Sequence, residues 1–172
     1  MALTVGTWRH VDSRIGTQPI TTLSATQLHP LGLIVQCRDV GATAYGMGEF
    51  QYVKGVASTA AKDWVGIPSD SFTIVRAVAN GDYPIGIAMG ALTASYYGWV
   101  QIGGKAIGNC LTSFADNGKV NLTSTAGSVD DASVAGDIIL GALGASAAVV
   151  GDLHAEFELY RPFSPQRVSI VG

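Results

Sequence analysis

The side chains best suited to metal or nucleophilic chemistry in this 172-residue chain are three histidines and two cysteines, and they are scattered. His10, His29 and His154 are far apart, so a shared metal or catalytic cluster would need the fold to bring them together. Cys37 and Cys110 show no C-x-x-C spacing and no local histidine partner, which predicts two buried free thiols. Asp130-Asp131 with Asp137 could suggest Ca²⁺, but the alternating oxygen ligands and glycine of an EF-hand loop are missing. A solvated acidic loop is the expectation there. Gly46-Met47-Gly48 begins like a dinucleotide fingerprint, yet Gln51 stands where the third glycine belongs and the run leads into a strand. Asn121-Leu122-Thr123 matches the N-glycosylation pattern but is expected to be idle without a secretion signal. No phosphate loop, H-E-x-x-H or G-x-S-x-G motif occurs. The residues therefore predict a protein that is not an enzyme and uses no cofactor and no metal.

The elements that would position such residues read as β-strands. Residues 81–107 carry no formal charge between Asp82 and Lys105, a length that would suit a membrane helix. Pro84 and the glycines at 86, 90, 98, 103 and 104 argue against that, since each glycine inside a helix costs about 1 kcal/mol relative to alanine. Two buried strands, residues 85–91 and 99–102, joined around Tyr96-Tyr97-Gly98, fit better. Further strands are expected at 33–38, 49–54, 72–78, 138–143 and 153–160, with the last placing Leu153, Ala155, Phe157 and Leu159 inward. Arg161-Pro162-Phe163 is expected to end it. Asn117-Gly118 predicts a hairpin between 109–114 and 119–123. The 138–143 strand reads as apolar on both faces, and residues 128–137 leave room for one helical turn.

Composition restricts partners. Charged residues make up 13% of the chain, against roughly 25% in an ordinary soluble domain. Net charge is −3, and the ten basic residues form no stripe, which excludes ordinary nucleic-acid binding. Arg9 and His10 arrive before any apolar signal region could form, and the apolar run 138–151 is too short to span a bilayer. A soluble chain made in a cytoplasm is the expectation, without membrane partners. So little charge gives poor protection against association, so part of the folded surface is expected to lie against other subunits.

Residues 1–29 read as an extended N-terminal arm, because 17–27 are polar, β-branched and aperiodic. Trp8 has no local core in that reading and would anchor on another chain, together with Arg9, Ile15, Ile20 and Leu23. Residues 30–163 read as an all-β body, a compact antiparallel β-barrel or sandwich, and 164–172 as a C-terminal tail. Trp99 is expected in the core and Trp64 in a loop or at a strand edge.

Tyr97-Gly98-Trp99-Val100-Gln101-Ile102 followed by Gly104-Lys105-Ala106 resembles a motif of tailed-bacteriophage capsid decoration, or cement, proteins. Residues 48–56, the run Ser113-Phe114-Ala115-Asp116-Asn117 and residues 122–131 are similar too, in the expected order. Tyr97, Gly98, Trp99 and Ile102 then form a structural core motif. The resemblance implies a β-tulip-like fold and a homotrimer on the outside of a phage head, made in the host cytoplasm. Its partners would be the major capsid protein and further copies of itself. It supplies no catalytic residues. Two other classes compete: a trimeric β enzyme of the dUTPase type, whose motifs are not found, and a phage fibre or carbohydrate-binding β-module, which would expose Trp99 or Trp64.

Overall fold

The computed structural model describes residues 3, 6–11, 18–41, 45–133 and 136–165, and every regular element among them is a β-strand. In chain order these are β1 (Trp8–His10), β2 (Ile34–Asp39), β3 (Met47–Lys54), β4 (Trp64–Gly66), β5 (Val75–Arg76), β6 (Tyr83–Ala88), β7 (Tyr97–Asn109), β8 (Lys119–Leu122), β9 (Val129–Asp130), β10 (Ile138–Gly144) and β11 (His154–Ser164). The sheet runs β1-β2-β3-β7-β6-β11-β10-β8-β9, with β4 paired to β6 and β5 to β4, and it does not close. The all-β antiparallel expectation holds, in its sandwich form rather than as a closed barrel.

β7 is the spine. Its first half pairs with β3 from Lys54↔Tyr97 to Glu49↔Gly103 and with β6 at Ile87↔Gln101. Its second half pairs with β11 from Tyr160↔Gly103 to His154↔Asn109. Gly103-Gly104 sits where the partners change. Gly104 has φ +84°, and a Cβ there would overlap the Met47 carbonyl oxygen. Only glycine accepts both conditions without strain. The first half of β7 is covered on both faces. Trp99 joins one cluster with Trp8, Phe50 and Tyr52, while Val100 and Ile102 join another with Val65, Ile67 and Leu92. Beyond the bend, Ala106 meets a third cluster containing Trp64, Phe114 and Phe157. The chargeless run is thus covered largely by the chain's own layers.

Several sequence expectations are corrected. Asn117 does adopt a turn conformation (φ +57°), but no hairpin forms across it: β8 pairs with β9 and β10. After the bridge at Cys110↔Val129, residues 111–114 leave the sheet and Phe114 packs edge-on against Phe157, 5.1 Å between centroids. The strand expected over 72–78 shrinks to β5 because Arg76 turns to the buried carboxylate of Asp63 (Nε–Oδ2 2.9 Å). Asp63 also accepts from Asn109 (2.8 Å), so a polar network, invisible to hydrophobic periodicity, fixes that corner. Leu153 is exposed, not inward: it lies in a turn with φ +52°, and alternation starts only at Ala155. β10 buries one side only, leaving Leu140 and Leu143 exposed. Residues 129–130 form β9, with no helical turn in the described part of 128–137. Trp64 is fully buried in β4 against Phe157. β11 does not stop at Arg161 but bulges there (φ +47°), and beyond Pro162 it pairs with β6 at Phe163↔Pro84. A bulge accommodates the missing proline N–H.

The N-terminal segment is also corrected where it is described. β1 pairs with β2, and Trp8 packs edge-on against Phe50 at 4.9 Å. Ile20 is buried in the same cluster, and Leu23 is half-buried against the Val100 cluster. Polar side chains hold this segment. Asp39 Oδ1 accepts from the Thr7 and Gly41 N–H groups (2.7 and 2.9 Å), and Oδ2 accepts from the Tyr45 N–H (3.0 Å). The reading of Trp8 as an anchor for another chain missed these bonds because they leave no hydrophobic pattern.

Gly104→Ala should cost about 1–3 kcal/mol from its positive φ, with the clash against Met47 added, as read by urea unfolding. Burial would raise the Asp39 carboxyl, but four backbone N–H donors outweigh it and hold the group below its usual value. Its stabilisation is therefore present above about pH 3.8 and is lost as pH falls through the folded-state value. Asp39→Asn should melt below wild type at neutral pH, with the gap closing toward pH 3.

Candidate functional site

The strand registers lay one row of residues across four strands on the outer face of the sheet: Gln36 on β2, Glu49 on β3, Gly103 on β7 and Tyr160 on β11. A second row runs Lys105, Glu158 and Leu143 across β7, β11 and β10, and Phe163 faces Leu140 on β11 and β10. Because Gly103 has no side chain, the row dips at β7. The dip is an open groove of about 380 Å³, walled by Gln36, Met47, Glu49, Tyr160 and Arg161. Arg161 also borders a smaller hollow of about 170 Å³ beside Ile34, Phe72 and Pro84.

Large apolar side chains stay exposed on this face, Tyr160 and Met47 at the groove and Phe163, Leu143 and Leu140 on the strands beyond it. Tyr160 is 70% exposed, Met47 50%, Phe163 46%, Leu143 44% and Leu140 41%. They stand on paired strands rather than loops, so the surface is held rigid by main-chain hydrogen bonds. Each strand supplies its outward residue by simple alternation, with the bulge at Arg161 re-aiming β11 so that Tyr160 and Phe163 both face out.

Charge on this face is spent within it. Arg161 donates to both Glu49 oxygens, Nε–Oε2 2.9 Å and Nη2–Oε1 3.2 Å. That hydrogen bonding holds the Glu49 carboxyl below its usual value despite burial. Lys105 pairs with Glu156 (2.6 Å), and Tyr45 donates to the other Glu156 oxygen (3.1 Å). Burial, reinforced by Glu156, pushes the Tyr45 hydroxyl up to about 12. Tyr160 donates to Glu158 (2.8 Å). With its ions paired, the groove presents an aromatic ring, a thioether and planar polar groups. Such a set binds surfaces by packing and hydrogen bonding.

The expected contact residues lie elsewhere. Trp8 and Ile20 are in the chain's own core, Leu23 is half-buried, Arg9 is exposed, and Ile15 falls outside the described residues. The expected tail, 164–172, is described only at Ser164, which is buried in β11, and Pro165. Trp99 is fully buried, Gly98 and Ile102 are buried and Tyr97 is half-buried. The structure does bring His10 and His29 together, both against Trp99, while His154 stands apart on β11. Cys37 and Cys110 are free and buried, their thiols pushed up by burial to about 12 and about 11. Asn121 of the glycosylation pattern is buried, which puts it out of reach of modification. Among the described residues no three His, Cys, Asp or Glu side chains stand together as a metal site, and no helix is long and apolar enough to cross a membrane.

Sequence reasoning missed Tyr160, Phe163, Leu140 and Leu143. For Tyr160 the signal was the clean alternation of residues 153–160, which marks the outward positions but cannot say which of them stay uncovered; Phe163, Leu140 and Leu143 lie outside that run. Leu140→Ser and Phe163→Ser should each cost no more than about 1 kcal/mol, against roughly 3–5 kcal/mol for Phe157→Ala in the core. Thermal melts of the three variants check this ordering. No family model, no curated protein and no solved structure matches the chain.

Proposed function

We propose that this chain is a structural virion protein, a capsid decoration or cement protein that binds the outside of a phage head and stabilises contacts between major capsid subunits. The observation that carries the reading is the set of exposed apolar side chains Leu140, Leu143, Tyr160 and Phe163 on paired strands of a chain with only 13% charged residues. An adhesive surface built into a sheet suits permanent protein contact better than turnover. The ordered motif resemblance across residues 48–131 supports the same assignment, and with it assembly as a homotrimer.

A second reading rests on Tyr160. Its exposed ring beside Gln36, Glu49 and Arg161 offers a stacking plane and planar polar partners, the ingredients of carbohydrate recognition. The tryptophans that a fibre or sugar-binding module was expected to expose are both buried.

Phe163→Glu and Leu140→Glu should abolish capsid retention of a folded protein, read by imaging heads with and without it. Sedimentation at micromolar concentration should show the wild type as a trimer. Undiminished decoration by both variants would sink the proposal, and quenching of tyrosine fluorescence by soluble glycans, lost in Tyr160→Ala, would favour the sugar reading.

A further inference from the structure

Residues 18–29 cross the aromatic side of the sheet as an irregular strap, and a small set of bonds holds them. Gln18 is the hub. Its Oε1 accepts from the Tyr52 hydroxyl (2.8 Å), its Nε2 donates to the Thr22 and Tyr97 carbonyls (2.6 and 3.0 Å), and its own carbonyl accepts from Trp99 Nε1 (3.1 Å). Ser24 exchanges backbone bonds with Tyr97 (3.0 and 2.8 Å), and the Leu28 N–H donates to the Tyr52 hydroxyl (3.2 Å).

Two imidazoles close this hub. The His10 ring lies 5.6 Å from the Trp99 ring, with Nε2 3.3 Å from the Gln18 carbonyl and Nδ1 3.6 Å from Cys37 Sγ. The His29 ring lies 5.5 Å from Trp99 and 5.0 Å from Tyr52, and its Nε2 is buried without a hydrogen-bond partner. The other titratable groups facing the pair are Cys37 from β2, Tyr52 from β3 and Tyr97 from β7, none of which offers a carboxylate. Among the described residues, no carboxylate is hydrogen-bonded or ion-paired to either imidazole.

We propose that His29 makes residues 18–29 an acid-released strap, closed over Tyr52, Tyr97 and Trp99 at neutral pH and opened when its imidazole is protonated. A proton on His29 would leave its buried Nε2 as an N–H without an acceptor. Burial, and then His10, hold the His29 pKa below its ordinary 6.5. The closed state therefore binds fewer protons than the open one, and its advantage shrinks as pH falls below about 6.5 toward the closed-state value. Protons can reach the ring, since His29 borders an open groove of about 570 Å³ beside Pro19 and Leu28. Opening would uncover an aromatic surface that the strap covers at neutral pH, whichever partner the outer face binds.

The test is hydrogen exchange on the whole chain at several pH values from about 7.5 to about 5, corrected for intrinsic rates, together with NMR titration of His29. Protection of the Ser24, Leu28 and Tyr97 amides should fall by up to about tenfold per pH unit from about pH 6.5 down to the His29 midpoint and level off below it, while β7 amides beyond Gly104 hold. His29→Phe, which keeps a ring but carries no proton, should retain protection at the lower pH. Unchanged wild-type protection across the range, or a His29 midpoint at or above 6.5, would overturn the proposal. Loss of strap protection in His29→Phe with the same pH profile as wild type would do so as well. If His29→Phe does not fold, the wild-type titration and exchange decide the matter.

Discussion

The rest of the structure depends on the double burial of β7. A strand covered on both faces must have apolar residues on both, and it gains stability only if two separate layers reach it. Trp99 on one side and Val100 and Ile102 on the other recruit those layers from β1–β3 and from β4–β6. The bend at Gly103-Gly104 then lets one strand serve two partners in succession, β3 and β6 before it and β11 after it. Without that bend, β11 would have no place beside β7, and the outer groove, whose floor is Gly103-Gly104, would not exist.

Polar side chains settle what apolar packing leaves open. Asp39, Gln18 and Asp63 are all buried, and each collects bonds from several chain segments. A buried polar group is costly unless satisfied, so each of these tolerates one arrangement of its neighbours and rejects others. Asp39 fixes the start of the chain on β2, Gln18 fixes the strap on β7, and Asp63 ties Arg76 and Asn109 together at the opposite corner. A chain with few charges has placed several of them inside, where they specify, and has paired others on the outer face.

That allocation explains the surface. Two ion pairs, Arg161–Glu49 and Lys105–Glu156, neutralise most of the charge near the groove, which leaves recognition largely to shape and apolar contact. Strand-borne residues such as Tyr160 and Phe163 cannot rearrange far, which suits a fixed partner surface of complementary shape.

The sequence by itself determined the class of the fold and the identity of its centre. Glycine spacing and the chargeless run excluded a helix, alternation marked Phe50 and Tyr52 as one buried face, and Trp99 was legible as core. What only the tertiary structure decided was pairing and exposure. Asn117-Gly118 encodes a turn, but which strands flank it in the sheet depends on Phe114 finding Phe157. Trp8 is flanked by Thr7 and Arg9 in sequence, yet Phe50 meets it across the sheet. His10 and His29, nineteen positions apart, meet on Trp99 only because β1 and the strap converge there. Local pattern reports a residue's preference for burial through the short-range period of its strand. Long-range contacts, which decide whether that preference is met and by what, follow from how the layers close around β7, and no period records them.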